Sequence, residues 1–128
     1  MFSHVMIGTN DLERSRAFYD AVLGTLGVPP GHVDRHRVFW RTPTGIFSVS
    51  VPIDGEPATV GNGTTIGFAC TSGEQVDAWH AAGCANGGNP CEDPPGVREG
   101  AAGKLYLAYL RDPDGNKLSW LYRLPKGA

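Results

Sequence analysis

Four histidines, three cysteines and a scatter of carboxylates are the groups in this 128-residue chain that could do chemistry. His4 stands at the head of an alternating stretch, with Val5 and Ile7 on one strand face and His4, Met6 and Gly8 on the other. An imidazole there suits a general base or a ligand anchor; it equally suits a histidine satisfied by a Ser or Thr hydroxyl. A catalytic divalent metal needs at least three good donors at about 2.0–2.3 Å, nearly always His, Cys, Asp or Glu. His80, Glu92 and Asp93 are donors by type, but nothing in their spacing makes them converge. Cys91 has no His or basic neighbour in sequence to lower its pKa, so a nucleophilic thiol is not expected there. Tyr106 and Tyr109 have opposite strand parity, so only one can face a pocket, and Tyr106 is taken as that residue. Glu92 and Arg98 sit in a Pro- and Gly-rich stretch and meet a ligand if that stretch folds over a cleft.

The elements that would position these groups come in two similar sets. After the first strand, Asn10-Asp11 supplies a helix cap and Glu13 suits the dipole of the first turn. Leu12, Ala17, Ala21-Val22 and Leu26 follow at helical spacing, and Gly24 and Gly27 bring that helix to a stop. Arg37–Arg41 and Ile46–Val51 read as strands joined by Thr42-Pro43-Thr44-Gly45, with a short irregular strand over 32–37. Thr64–Cys70 repeats the first strand and Thr71-Ser72-Gly73-Glu74 the capped helix start, with Val76, Trp79, His80 and Gly83 on later turns. Lys104–Arg111 and Lys117–Tyr122 form a last hairpin around Asp112-Pro113-Asp114-Gly115, where both aspartates serve turn hydrogen bonding rather than acid–base chemistry.

The repeat is explicit. An offset of 61 places His4-Val5-Met6-Ile7-Gly8 on Thr65-Ile66-Gly67-Phe68-Ala69, Glu13 on Glu74 and Phe18 on Trp79. An offset of 70 places Phe39-Trp40-Arg41-Thr42-Pro43-Thr44-Gly45 on Tyr109-Leu110-Arg111-Asp112-Pro113-Asp114-Gly115. The nine residues gained between helix and hairpin fall in Asn89–Gly103, read either as a lid or as a solvated insertion.

Composition closes off several classes. A formal charge of −2, a pI near 6.0 and scattered Lys and Arg give no reason to expect nucleic acid or anionic membrane as partners. No stretch approaches the roughly 18 apolar residues of a membrane span, and Met1-Phe2-Ser3-His4 carries no leader pattern. Three cysteines without CxxC spacing read as reduced thiols of a cytoplasmic protein, with Cys70 a small core filler. Trp40, Trp79 and Trp120 read as core or dimer-contact residues, and Arg41 and Arg111 as solvated strand ends, with anion binding the lesser alternative.

His4-Val5-Met6-Ile7-Gly8-Thr9-Asn10-Asp11-Leu12-Glu13-Arg14-Ser15-Arg16-Ala17-Phe18-Tyr19, together with Arg111-Asp112-Pro113-Asp114-Gly115-Asn116-Lys117-Leu118, resembles the vicinal oxygen chelate superfamily of glyoxalase I, bleomycin and fosfomycin resistance proteins and extradiol dioxygenases. With the repeat, the resemblance spans essentially the whole chain. It implies an α+β fold of two tandem βαβββ modules forming an open barrel-like cleft, in a homodimer whose partner can complete the cleft. The expected organisation is one domain over 1–128, with module one at 1–53, a linker at 54–63 and module two at 64–124.

In metal-dependent relatives the resemblance implies four ligand slots: His at the place of His4, His or Gln at Thr65, Glu at Ser119, and a fourth near Val49 (Ser48 or Ser50 if the register slips). Of these only His4 is a good donor, so the inherited metal site is expected to be lost and no cofactor is expected. The expected ligand set is His4, Thr65, Ser119, Gly67, Tyr106, Glu92 and Arg98, with His4 as the one candidate catalytic residue. The function expected is binding of a small organic molecule in the manner of bleomycin resistance proteins. The alternative is a glyoxalase-type lyase, isomerase or dioxygenase holding a divalent metal through relocated ligands.

Overall fold

Apolar alternation shapes β1 (His4–Gly8), and the chain then turns into α1 (Leu12–Gly24). The Asp11 carboxylate caps that helix by accepting from the Arg14 backbone N–H at 3.0 Å, an interaction worth about 1 kcal/mol. Ser15, Phe18, Tyr19 and Val22 recur at helical spacing and form the buried stripe. Next come β2 (His32–Asp34), β3 (Arg37–Thr42) and β4 (Gly45–Ser50), completing a sheet of order β1-β4-β3-β2 with β1 parallel to β4. Residues 51–65 carry no strand or helix.

The second half repeats the order: β5 (Ile66–Ala69), α2 (Gly73–Ala85), β6 (Asn89–Gly100), β7 (Gly103–Arg111) and β8 (Lys117–Arg123). Its sheet runs β5-β8-β7-β6, with β5 parallel to β8. At the start of α2 the Ser72 hydroxyl accepts from Gln75 N–H while the Gln75 side chain accepts from Thr71 N–H, a reciprocal cap. This computed structural model describes residues 1–126, and among them the fold is α+β: two βαβββ sets whose sheets stay separate, without a closed barrel.

The segment over 89–103 does not fold over as a lid. It is the largely exposed edge strand β6 and its turn into β7, with β6 twelve residues long where its counterpart β2 has three and β7 nine where β3 has six. Pro94 and Pro95 fall in the break in register, where no ladder pairing is lost, and the edge position of β6 suits Pro90. Register breaks between Cys91 and Gly96, and inside this bulge Glu92 adopts a left-handed backbone (φ 58°) that non-glycine residues rarely take.

One aromatic chain joins the halves. Trp79 stacks on Trp120 at 4.5 Å, Phe68 lies 4.3 Å from Trp120, Phe47 5.2 Å from Phe68, and Tyr19 4.8 Å from Phe47. Trp40, Trp79 and Trp120 are all core residues. A polar clasp runs beside them. The buried Asp114 carboxylate accepts from Thr9 Oγ1 (2.6 Å), Asn10 N–H (2.9 Å) and Arg14 Nη2 (2.9 Å), and Tyr19 OH donates to Asp112 Oδ2 (2.6 Å). The two aspartates therefore do more than shape their own turn: they bind the second module to the β1–α1 junction of the first. The Asn10 side chain also pairs both ways with the Ala58 backbone, and a Cβ on Gly8 would stand 2.9 Å from Ala58 Cβ, so only glycine permits this close approach.

Candidate functional site

Cross-strand register assigns each site residue to a face. In the first sheet His4, Met6 and Gly8 pair with Ile46, Ser48 and Ser50, while Phe47 and Val49 turn into the core. In the second, Gly67 pairs with Ser119 and Ser119 with Tyr109, while Phe68 and Trp120 turn into the core. The faces opposite the helices therefore carry the wall expected from strand parity, with two corrections.

The first concerns the fourth slot. Arg41 pairs with Ile46, whereas Arg111 pairs with Lys117, so the Asp112–Asn116 turn is one residue longer than its counterpart. Beyond the turn the offset is 71, and the partner of Ser119 is Ser48, not Val49. Val49 is fully buried in the core; Ser48 is fully buried on the other face, and its Oγ has no hydrogen-bond partner. The second concerns Tyr106. It lies on the α2 side of β7 and donates to Asp77 Oδ1 at 2.8 Å, which holds its phenol above the ordinary pKa. Tyr109 is the tyrosine that shares the face of Ser119.

The remaining expected residues fall into two neighbouring places rather than one. A cavity of about 380 Å³ has in its wall His4 and Gly67 together with Trp40, Phe47 and Phe68. It lies between β1 and β5, which are the outer strands of their sheets and do not pair with each other. His4 is exposed and its Nδ1 shares a hydrogen bond with Ser3 Oγ at 2.8 Å. Ser119 borders this wall, since a Cβ on Gly67 would lie 3.0 Å from its Oγ. Thr65 instead lines a polar cavity of about 470 Å³ with Arg111 and Lys117.

Glu92 pairs with Lys117, whose ammonium is held above its ordinary pKa by that contact. Arg98 donates from Nη2 to the Asp93 and Pro94 carbonyls at 3.0 and 2.9 Å, and among the described residues its side chain makes no hydrogen bond outside this bulge. Lys117 was missed from sequence, although it has the parity of Ser119; Tyr109 was weighed there against Tyr106, and parity alone does not say which of the two faces the site.

The four slots that the resemblance implies, with the fourth moved to Ser48, would thus hold one imidazole and three hydroxyls: His4, Ser48, Thr65 and Ser119. Neutral hydroxyls are poor ligands for a divalent ion, and pairing modules from two chains would only recombine the same four residues. Among the described residues, no three His, Cys, Asp or Glu side chains stand together as an ion site. The residues present do not fit the superfamily's metal.

The thiols differ sharply in environment. Burial pushes Cys70 up to about 12, while Cys84 is exposed on α2 with its Sγ 3.8 Å from His80 Nδ1. Alkylation is a reaction of the thiolate. Iodoacetamide at pH 8 is therefore expected to modify Cys84 in the folded protein and leave Cys70 intact until denaturant is added, as read by peptide mass spectrometry.

A sequence model described as the Glyoxalase/Bleomycin resistance protein/Dioxygenase superfamily matches residues 1–119. Among solved structures, a glyoxalase/bleomycin resistance protein from Albidiferax ferrireducens T118 is 65% identical, with a TM-score of 0.94, covering 95% of this chain and 98% of that one. A glyoxalase-related enzyme from Fulvimarina pelagi is 19% identical with a TM-score of 0.73, covering 100% of this chain and 93% of the other. A lactoylglutathione lyase from Agrobacterium tumefaciens is 21% identical with a TM-score of 0.65, covering 95% and 92%. The last two likenesses extend to the fold alone. No curated protein matches the chain.

Proposed function

The chain belongs to the Glyoxalase/Bleomycin resistance protein/Dioxygenase superfamily, and from that premise we propose that it binds a small organic molecule without a metal ion. The observation that carries this reading is the cavity of about 380 Å³ between β1 and β5, where aromatic walls meet a single imidazole. Trp40, Phe47 and Phe68 supply apolar contact, and Gly67 leaves space that any larger side chain would take. Pockets of this kind hold organic ligands by buried apolar area, with a few polar groups fixing orientation. His4 is the imidazole available for that, as a hydrogen-bond partner or a base, with Thr42 and Thr44 as further polar side chains of the wall. We further propose a homodimer, because β1 and β5 are outer strands with unpaired backbone edges that a second copy can cover.

Two measurements on protein purified without chelator test the reading. Elemental analysis is expected to find no stoichiometric nickel, zinc, iron or manganese. A thermal-shift screen of small metabolites is expected to yield a stabilising organic ligand; at 100 times its dissociation constant such a ligand contributes about 2.7 kcal/mol. Gly67→Leu is expected to abolish that shift. Stoichiometric metal, stripped by EDTA together with a measurable lyase or dioxygenase activity, would replace this reading with the metal-dependent alternative.

A further inference from the structure

We propose a second binding site, for a compact organic anion, at the hairpin end of the β5–β8–β7 face, with Lys117 and Arg111 as its cations and Glu92 as the group the anion displaces. It does not depend on what occupies the cavity between β1 and β5.

Lys117 and Arg111 stand directly opposite each other across β7 and β8. Like charges in that position repel, so the pair is a cost to the sheet unless a negative group is brought to it. The chain brings one of its own. Glu92 reaches Lys117 from the β6 bulge, where its backbone is left-handed at φ 58°. A carboxylate thus already sits against Lys117, held there by a backbone conformation that glutamate seldom adopts. The Lys117 ammonium also lies 4.8 Å from the centre of the Tyr109 ring, which fixes its position. Arg111 spends Nη1 on the Gly115 carbonyl at 2.8 Å, leaving further guanidinium donors.

Beside the two cations is room. The polar cavity of about 470 Å³ is walled by Gly61–Thr65, Arg111 and Lys117, and Thr65 adds a hydroxyl to the cationic pair. The next row along the sheet is Gly67, Ser119 and Tyr109, which offers a ligand's body a small residue, a hydroxyl and a ring. The chemistry selected is a carboxylate or a phosphate monoester on a small organic body.

Benzoate and phenyl phosphate are the carboxylate and phosphate probes, with benzamide as a neutral match and benzylamine as a cation of similar size. Isothermal titration against the wild-type chain is expected to show binding of at least one anion, weakening as salt is raised, and none of the neutral or cationic probes. Lys117→Gln is expected to weaken the anion about tenfold or more, the loss of a charged hydrogen bond, while Lys117→Arg retains it. Glu92→Gln is expected to strengthen it several-fold by removing the competitor. Amide shifts in unmodified protein on adding benzoate or phenyl phosphate, centred on Thr65, Arg111 and Lys117, supply a readout that no folding defect in a variant can mimic. Equal binding of benzamide, indifference to Lys117→Gln in a variant with native melting, or no anion bound even by Glu92→Gln overturns the proposal.

Discussion

Asp112→Ala is expected to lower the unfolding free energy by about 3–5 kcal/mol, the range for removing one partner of a buried charged network. The side chain is nearly inaccessible and accepts from four donors: Tyr19 OH at 2.6 Å, Asn116 N–H at 2.9 Å, Asn116 Nδ2 at 3.0 Å and Asp114 N–H at 3.0 Å. Alanine strands these donors where water does not reach, and each orphan costs roughly 1–3 kcal/mol before relaxation. The Tyr19 hydroxyl suffers most, since its ring is fully buried against Phe18, Trp40 and Phe47. Asp112→Asn keeps the shape and one acceptor oxygen, so its expected loss is smaller, about 1–3 kcal/mol. Urea denaturation at pH 7 measures both.

The same carboxylate leaves a signature in acid. Burial raises Asp112 above its ordinary 3.8 despite its hydrogen bonds, so the folded chain holds a proton that the unfolded chain has released. Folded protein then binds more protons than unfolded protein between 3.8 and the higher folded value, and this group's contribution to stability falls as pH rises through that interval. Asp112→Asn is expected to remove that part of the slope. A variant as stable as wild type, with the slope unchanged, would deny the clasp any role in holding the modules together.

Sequence reading reached the architecture because periodicity and capping are local. Strand alternation at His4–Gly8, the Asp11 and Ser72 caps and the repeat itself all lie within short windows. Tertiary partners do not. The Asp112–Tyr19 and Asp114–Thr9 bonds each join residues about a hundred positions apart, and no spacing rule announces them. The stretch around Asp11–Tyr19 and the turn Arg111–Asn116, read as two separate family signatures, are physically two halves of one clasp. The Val49 placement has a different origin: one added residue in the second hairpin turn shifts the match between the last strands of the two halves to Ser48, the alternative named for a slipped register, and a shift of one changes the face because strand side chains alternate with period two. Asn89–Gly103 was misread since three prolines and several glycines look like a loop, and only pairing with β7 makes a strand of them. Nothing local marked Tyr106 as turned away, because Asp77, which claims its hydroxyl, comes from the preceding helix.

If chelation was lost by substitution at the inherited slots, putting donors back must restore it. Thr65→His combined with Ser119→Glu is expected to bind zinc or nickel saturably at about micromolar concentration, roughly 8 kcal/mol of binding, where the wild-type chain shows none. Thr65 precedes β5 by one residue, on the side of Gly67, and Gly67 pairs with Ser119, so the two new donors are diagonal neighbours on one sheet face. Two donors are not a catalytic site, and the third has to be His4. Adding His4→Ala to the double variant is expected to weaken metal binding about tenfold or more, the cost of one lost ligand on the scale of charged contacts. Since β1 and β5 belong to different sheets and do not pair within one chain, the position of His4 relative to the graft is the informative part. Binding that disappears on dilution to monomer puts β1 of one protomer against β5 of its partner, whereas binding that survives dilution closes the site across the cavity of a single chain. A double variant that binds no better than wild type would mean that these positions do not converge, and the absence of a metal would then need an explanation other than the loss of its donors.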